Sequence, residues 1–348
     1  EVLEDWEAVI GLEIHAELTT LDTKMFCGCK LEFGAEPNTH TCPVCLGMPG
    51  ALPVPNRAAI ESIVLAGLAT NCDIEKHSMF YRKTYMYPDM SKNYQTTQGP
   101  VAFCMRGHLD LDVDGAAAKE RIDLDGLDVG ESRGNVTRTE TGYTAHVGIT
   151  RIHMEEDAGK LVHDPWIDQT RCDYNRCGVP LIEIVSEPDM RSADEVIAYL
   201  ETLRQTIQYL GASDCKLNEG SMRADVNLSV REVGSPKFGT RTEMKNLNSF
   251  KAIAHAIEGE RERQIELLEM GRKVVQETRR WDDNKESSHA MRSKEDAQDY
   301  RYFPEPDLAP IVISEEWINE IRSRQPELRP QKLERYRREY DIPEYDAQ

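Results

Sequence analysis

Several things are missing from this 348-residue sequence, and each absence narrows what it can be. No apolar run approaches the ~20 residues that a membrane-spanning helix needs. The opening EVLEDWE is too acidic for a signal or transit peptide. A soluble, cytosolic (cytoplasmic) protein is the expectation. There is no G-x-x-x-x-G-K-[ST] and no G-x-G-x-x-G, so neither a P-loop nor a Rossmann phosphate site is indicated. No Ser-His-Asp arrangement is suggested, which argues against an amidase in this chain. The length permits one large domain or two with a sizeable core. The first residue is not Met, and IPEYDAQ follows directly on a helical pattern, as expected of ends trimmed from a longer chain.

What is present begins with VIGLEIHAEL, residues 9 to 18. Ile10, Leu12, Ile14, Ala16 and Leu18 are apolar, while Glu13, His15 and Glu17 occupy the alternate positions. That is the period of a strand with one buried face. The polar face is either a solvated surface or part of a site, and partners elsewhere must decide. Nine cysteines include a cluster, Cys27, Cys29, Cys42 and Cys45, spaced C-x-C, twelve residues, C-x-x-C. Two close pairs across a short loop suit tetrahedral Zn²⁺ with no open position, hence a structural ion; reduced structural thiols and an iron–sulfur cluster are the alternatives.

Residues 56 to 72 read as a mostly buried helix. Ser192 caps a helix from 193 to 210, with Glu195 three residues on and Gly211 as its stop. A long charged helix runs from Ser249 to Met270 before Gly271. Strand-like segments fall at 145 to 155, 179 to 186, 225 to 231 and 241 to 248, and an acidic, Gly-rich stretch near 115 to 143 reads as a surface loop or a hairpin excursion. Strands that mostly follow one another, with a few long helices between, predict an α+β domain on an antiparallel sheet. The Pro-rich FPEPDLAP marks a boundary, giving a domain over 1–303 with the zinc loop at 27–45, and a helical segment over 304–348.

Other polar clusters share the first strand's oddity. HMEEDAGK sets Glu155, Glu156 and Asp157 in a row, and PLIEIV holds Glu183 between isoleucines. NEGSMRADVN adds Glu219, Arg223, Asp225 and Asn227, and TEMKNLN adds Glu243 and Lys245. Carboxylates converging on one sheet face repel one another, and a divalent cation such as Mg²⁺ resolves the repulsion. In YRKTYMYPDMSKNYQ, Arg82, Lys83 and Lys92 alternate with Tyr85, Tyr87 and Tyr94. Cations there suit phosphates and aromatic faces suit a base or a tRNA end; the alternative is a loop whose tyrosines are core.

These residues match a known family. VIGLEIHAEL, KMFC, FGAEPNT, YRKTYMYPD, ITRIHMEEDAGK, NRCGVPLIEIVSEPD, NEGSMRADVN, EMKNLNSF, QETRRW and DYRYFPEPDL together resemble, in order and over essentially the whole chain, the GatB family of glutamine-dependent aspartyl/glutamyl-tRNA amidotransferase subunits. The resemblance implies a cradle domain similar to glutamine synthetase and guanido kinases. It implies ATP- and Mg²⁺-dependent phosphorylation of the Asp or Glu side chain on misacylated tRNA, then displacement of phosphate by ammonia from an amidase subunit. GatA and the small subunit GatC are the implied partners. Carried over by position, Glu13, His15, Glu156 and Glu183 are metal ligands, Lys83 lies near the phosphates, and Glu219, Asp225 and Lys245 fall in catalytic motifs. A His ligand suits Mn²⁺ or Zn²⁺ better than Mg²⁺. Residues 304–348 would start the family's helical domain, with its tail domain beyond this chain. The related GatE subunit carries a large insertion that this sequence does not show, and a non-catalytic zinc-containing tRNA-binding scaffold is the reading from another class.

For a chain that works on RNA, a net charge of −20 is unusual, because phosphate binding wants basic surface. Only 15 of the 42 basic residues are Lys, against 62 acidic ones. Either the surface is adapted to a concentrated cytoplasm, or the main RNA-binding surface belongs to another segment or subunit. On the first reading, thermal stability rises between low salt and molar KCl as self-repulsion is screened. A flat or falling melting temperature contradicts it.

Overall fold

The computed structural model describes residues 5–291 and 299–340. The alternation of VIGLEIHAEL becomes the centre of one large sheet. Its main strands are β1 (Trp6–Glu17), β2 (Phe80–Thr84), β3 (Tyr94–Gln98), β4 (Cys104–Asp114), β5 (Gly142–Glu156), β6 (Pro180–Ser186), β7 (Met222–Glu232), β8 (Thr242–Lys245), β9 (Thr278–Asp282), β10 (Ser287–Ala290) and β11 (Phe303–Pro304). Across the sheet the order is β10-β9-β8-β7-β1-β6-β5-β3-β2-β11, and β4 pairs with the earlier part of β5. These pairings are antiparallel except for β8 with β9.

Helices α1 (Arg57–Ala69), α2 (Ala193–Tyr209) and α3 (Phe250–Glu269) cover the apolar face. Each starts on a side-chain cap: Asn56, Ser192 and Ser249 accept from the backbone N–H groups of Ala59, Glu195 and Ala252. α2 and α3 stop at Gly211 and Gly271, whose φ values of 70° and 72° are readily adopted only without a Cβ. Ile10, Leu12 and Ile14 of β1, Leu200 and Leu203 of α2, and Ile253 and Ile257 of α3 share one core and are at most 1% exposed. No helix among the described residues is long and apolar enough to cross a membrane.

Two expectations change. The boundary expected at 303/304 falls inside a packed unit. β11 pairs with β2, Ile311–Val312 pairs with His77–Ser78, and Ile313, Ile318 and Ile321 enter the core together with α4 (Glu315–Ser323). α5 (Arg329–Tyr340) buries no side chain. Residues 341–348, the rest of the expected helical segment, lie outside the described residues. The acidic excursion, in turn, is more than a surface loop. It places Ala117, Leu124 and Val136 in the core.

The excursion also inserts Arg121, 2% exposed, against Glu195 of α2 at 3.3 Å. Tyr143 donates to the other oxygen of the same carboxylate at 2.8 Å. Removing one member of a buried ion pair strands the other. Glu195→Gln should therefore lower stability by about 3–5 kcal/mol, read as a lower denaturation midpoint with unchanged m. A cost below about 1 kcal/mol would mean the excursion is not anchored there.

Candidate functional site

The polar face of the sheet forms a cleft of about 480 Å³. The pleat and the register build it. Glu13 of β1 stands opposite Asp225 of β7, His15 opposite both Arg223 of β7 and Glu183 of β6, and Glu183 opposite His153 of β5. Asn227 of β7 faces Glu243 of β8. Directly opposed residues share a face with Cβ atoms ~5 Å apart, so charges scattered over 230 residues become neighbours. Lys83, Tyr85 and Gln95 line the cleft from β2, β3 and their connection, and Lys245 lines it from β8.

Two clusters result. Ligand atoms of Glu13, Asp225 and Glu243 lie within 4.8 Å of one another, as do those of His15, Glu155 and Glu183. Burial raises the Glu13 pKa, and the negative charges of Glu183, Glu243 and Asp225 raise it further. Burial also raises Asp225, against the pull of Lys245, whose Nζ is 3.8 Å from Asp225 and 3.6 Å from Glu243. The second cluster is better compensated. His15 Nε2 is 3.4 Å from Glu155 and 3.8 Å from Glu183. His153 Nε2 lies 2.6 Å from Glu183 and 3.3 Å from Glu155. Burial would push His153 down, but those carboxylates outweigh it and lift it to about 9, so it is protonated at neutral pH. Burial likewise works against ionised Glu183, and the His153 hydrogen bond and charge overcome it.

This donor chemistry fits divalent ions. The all-oxygen set of Glu13, Asp225 and Glu243 suits Mg²⁺, and the nitrogen of His15 makes the other set better suited to Mn²⁺ or Zn²⁺. A cation between Glu13, Asp225 and Glu243 would relieve the repulsion that raises the Glu13 pKa.

The expected residues distribute unevenly. Glu13, His15, Glu183, Asp225, Lys83 and Lys245 line the cleft. Glu156 does not, because it follows Glu155 on a strand and points to the opposite face. There it is buried, pairs with Lys92 and accepts from the Thr96 N–H at 3.4 Å. Glu155 takes the place expected for it. Glu219 sits on a short turn, 3.6 Å from Lys216 and outside the cleft. Arg82 is not offered to a phosphate: its guanidinium forks onto Glu305 at 2.7 and 2.9 Å, reaches Asp307 at 3.2 Å, and lies 4.2 Å above the Tyr94 ring. Tyr94 also faces Lys92, 4.9 Å from its ring. Tyr85 lines the cleft and Tyr87, 6.0 Å away, is on the surface. Lys83 is 4.5 Å from the Tyr300 ring centroid, and among the described residues no carboxylate lies within ion-pair distance of it.

Sequence reasoning missed His153 and did not choose Glu155 or Glu243 as ligands. The signal for Glu155 was available: Ile152 and Met154 are core, so 153 and 155 face the other way. A further set borders the cleft. Arg223 grips both oxygens of Asp157 at 3.1 and 3.2 Å, while burial and a hydrogen bond with Asp157 lift Glu17 to about 9.

Away from the cleft, the Sγ atoms of Cys27, Cys29, Cys42 and Cys45 lie within 4.8 Å of one another. All four cysteines are free thiols. Zinc bonds of ~2.3 Å in a tetrahedron put sulfurs about 3.8 Å apart, so only a small contraction is needed. A hydrogen bond from Cys27 holds the Cys45 thiol down at about 4 against burial, helped by the Cys42 N–H and Lys24 Nζ, which are 3.2 and 3.4 Å from its sulfur. The fit supports a structural zinc, and roughly 10 kcal/mol of folding energy can ride on such an ion in small peptides. Freshly purified protein should hold one tightly bound zinc per chain, and Cys42→Ser should lose it and destabilise the N-terminal region. Substantially less than one equivalent by elemental analysis contradicts the assignment.

The GatB/GatE catalytic domain family matches residues 8–319. The chain is 68% identical over 345 residues to the B subunit of the aspartyl/glutamyl-tRNA(Asn/Gln) amidotransferase of Agathobacter rectalis, covering 99% of this chain and 67% of that protein. Its identity to the protein of the same name from Lachnoclostridium phytofermentans is 62% over 342 residues, covering 98% and 66%. For Caldicellulosiruptor saccharolyticus it is 56% over 343 residues, covering 99% and 66%. The chain spans about two thirds of the length of the curated relatives it matches. With its sheet, its acidic cleft and these matches in hand, the chain belongs to the GatB/GatE catalytic domain family.

Proposed function

We propose that this chain is the kinase-like part of a GatB-type amidotransferase subunit, acting on misacylated Asp-tRNA(Asn) or Glu-tRNA(Gln). The observation that carries the reading is one cleft that holds six acidic side chains, Glu13, Glu155, Asp157, Glu183, Asp225 and Glu243, with Lys83, Arg223 and Lys245 among them. In the reaction, an oxygen of the aminoacyl side-chain carboxylate attacks the γ-phosphorus of ATP and ADP leaves. Ammonia then attacks the acyl phosphate, phosphate leaves with the C–O electron pair, and the amide loses a proton.

The first step brings two anions together, and neither is reactive unaided. Divalent ions held by Glu13, Asp225 and Glu243, and by His15, Glu155 and Glu183, would supply charge neutralisation at the phosphates. Lys83 would meet phosphate oxygens, a role supported by its position in the cleft beside the Tyr300 ring. Lys245 pairs with the Asp225 and Glu243 carboxylates. Protonated His153 orients Glu183 and Glu155 from below. The ammonia would come from an amidase subunit of the GatA type, in a cytoplasmic complex with GatC.

Glu13→Gln or Glu183→Gln keeps shape and removes charge. In a reconstituted complex, each should lower tRNA-dependent ATP cleavage and amidation together by about 10²-fold or more, while glutaminase activity of the partner survives. Near-normal ATP cleavage by the Glu13→Gln complex at saturating Mg²⁺ would leave the face a solvated surface. Absence of ATP turnover in the wild-type complex would favour the non-catalytic scaffold, and amidation assayed with each misacylated tRNA separates the two substrates.

A further inference from the structure

Beyond the cleft, one other cluster on the sheet mixes imidazole with carboxylate. His108 and Asp110 of β4 and His146 of β5 each place a ligand atom within 4.8 Å of those of the other two. The ladder sets Asp110 directly opposite His146, and His146 Nδ1 lies 2.7 Å from Asp110 Oδ1. His108 stands opposite Gly148, which has no side chain of its own. The two rings stack with centroids 4.6 Å apart and planes tilted by 31°.

The scaffold beneath is fixed. Leu109, Leu111, Ala145 and Val147, on the inner face of the same strands, are buried. Each histidine's backbone also makes bonds beyond the ladder: His108 N–H donates to Thr70 O at 2.9 Å, Asn71 Nδ2 donates to His108 O at 3.2 Å, and Asn135 both accepts from His146 N–H at 2.7 Å and donates to its carbonyl at 3.0 Å. Donors on rigid strands lose little entropy on capturing an ion.

We propose that His108, Asp110 and His146 form a second metal site, which takes a borderline divalent ion such as Zn²⁺ or Ni²⁺. Two imidazole nitrogens and one carboxylate select transition metals over Mg²⁺, whose ligands are oxygens. Metal–ligand bonds of ~2.1 Å place donors roughly 3 Å apart, within reach of side-chain rotations from the present spacing. The site is distinct from the reaction cleft: His146 is nine residues from Glu155 along β5, roughly 30 Å at ~3.3 Å per residue. Bound there, an ion cross-links β4 to β5, and the remaining coordination positions face solvent.

The test uses the full chain with zinc already on its cysteines, titrated with Ni²⁺ in millimolar Mg²⁺ by calorimetry. Beyond any ion taken by His15, Glu155 and Glu183, one further equivalent that depends on His108 and His146 should bind, and the melting temperature should rise with Ni²⁺ concentration by mass action. His146→Ala and His108→Ala should each weaken that binding at least about tenfold and remove the thermal shift. His146 is exposed and His108 half-buried, so metal-free melting temperatures close to wild type confirm that the variants fold. Unchanged Ni²⁺ affinity in both variants, no binding in the wild type, or displacement of Ni²⁺ by millimolar Mg²⁺ each overturns the site and leaves an ordinary ion pair.

Discussion

The repulsion among carboxylates on the outer face of β1 and its neighbours is the constraint on which the cleft depends. Burial and three acidic neighbours push Glu13 toward its neutral form, and the cation that sits beside Asp225 and Glu243 at ion-pair distance is Lys245. A protein that kept such a face only for solubility would gain by spreading its charges, since like charges directly opposed across a ladder destabilise it. Concentrating them costs stability that a bound cation or an anionic substrate with its cations can return. The compensated half, where His153 and His15 sit among Glu155 and Glu183, is the exception that keeps the face foldable before any ion arrives.

Stability for this arrangement comes from the other side of the sheet. The inward positions of β1, β6 and β7 are apolar and nearly completely buried beneath α2 and α3. A one-residue slip of β1 would put Glu13 into that core and Ile14 into the cleft, so the hydrophobic pattern fixes the register and with it the geometry of the acids. The excursion near 115 to 143 and the segment from 303 to 323 extend the same unit, through Arg121 on Glu195 and through Glu305 and Asp307 on Arg82. The latter contacts explain why Arg82, basic and beside Lys83 in sequence, has a structural partner rather than an open face.

Much of this was legible in the chain. Period-two alternation placed Glu13 and His15 on one face, the caps and stops Ser192, Gly211, Ser249 and Gly271 bounded two helices, and the C-x-C and C-x-x-C pairs foretold a cluster of thiols that the fold indeed gathers. What escaped depends on long-range pairing. Glu155 and Glu156 are adjacent in sequence and opposite in space: Ile152 and Met154 mark the inward parity locally, but β5 shifts that parity after Ile149, and alternation carried on from Ile149 would turn Glu156 outward instead. Proline-rich FPEPDLAP has the composition of a linker, yet its Phe303 and Glu305 find β2 and Arg82 more than two hundred residues earlier.

If the cleft holds divalent ions as proposed, strand geometry, rather than motif order, decides which acids would bind them. Mn²⁺ affinity of the full chain, measured by electron paramagnetic resonance of free Mn²⁺ for Glu155→Gln and for Glu156→Gln, tests it most directly. Glu155→Gln should weaken Mn²⁺ binding at least about tenfold, whereas Glu156→Gln, at a position that faces Lys92 on the far side, should leave it within about twofold. Loss of Mn²⁺ binding in Glu156→Gln with retention in Glu155→Gln would contradict it.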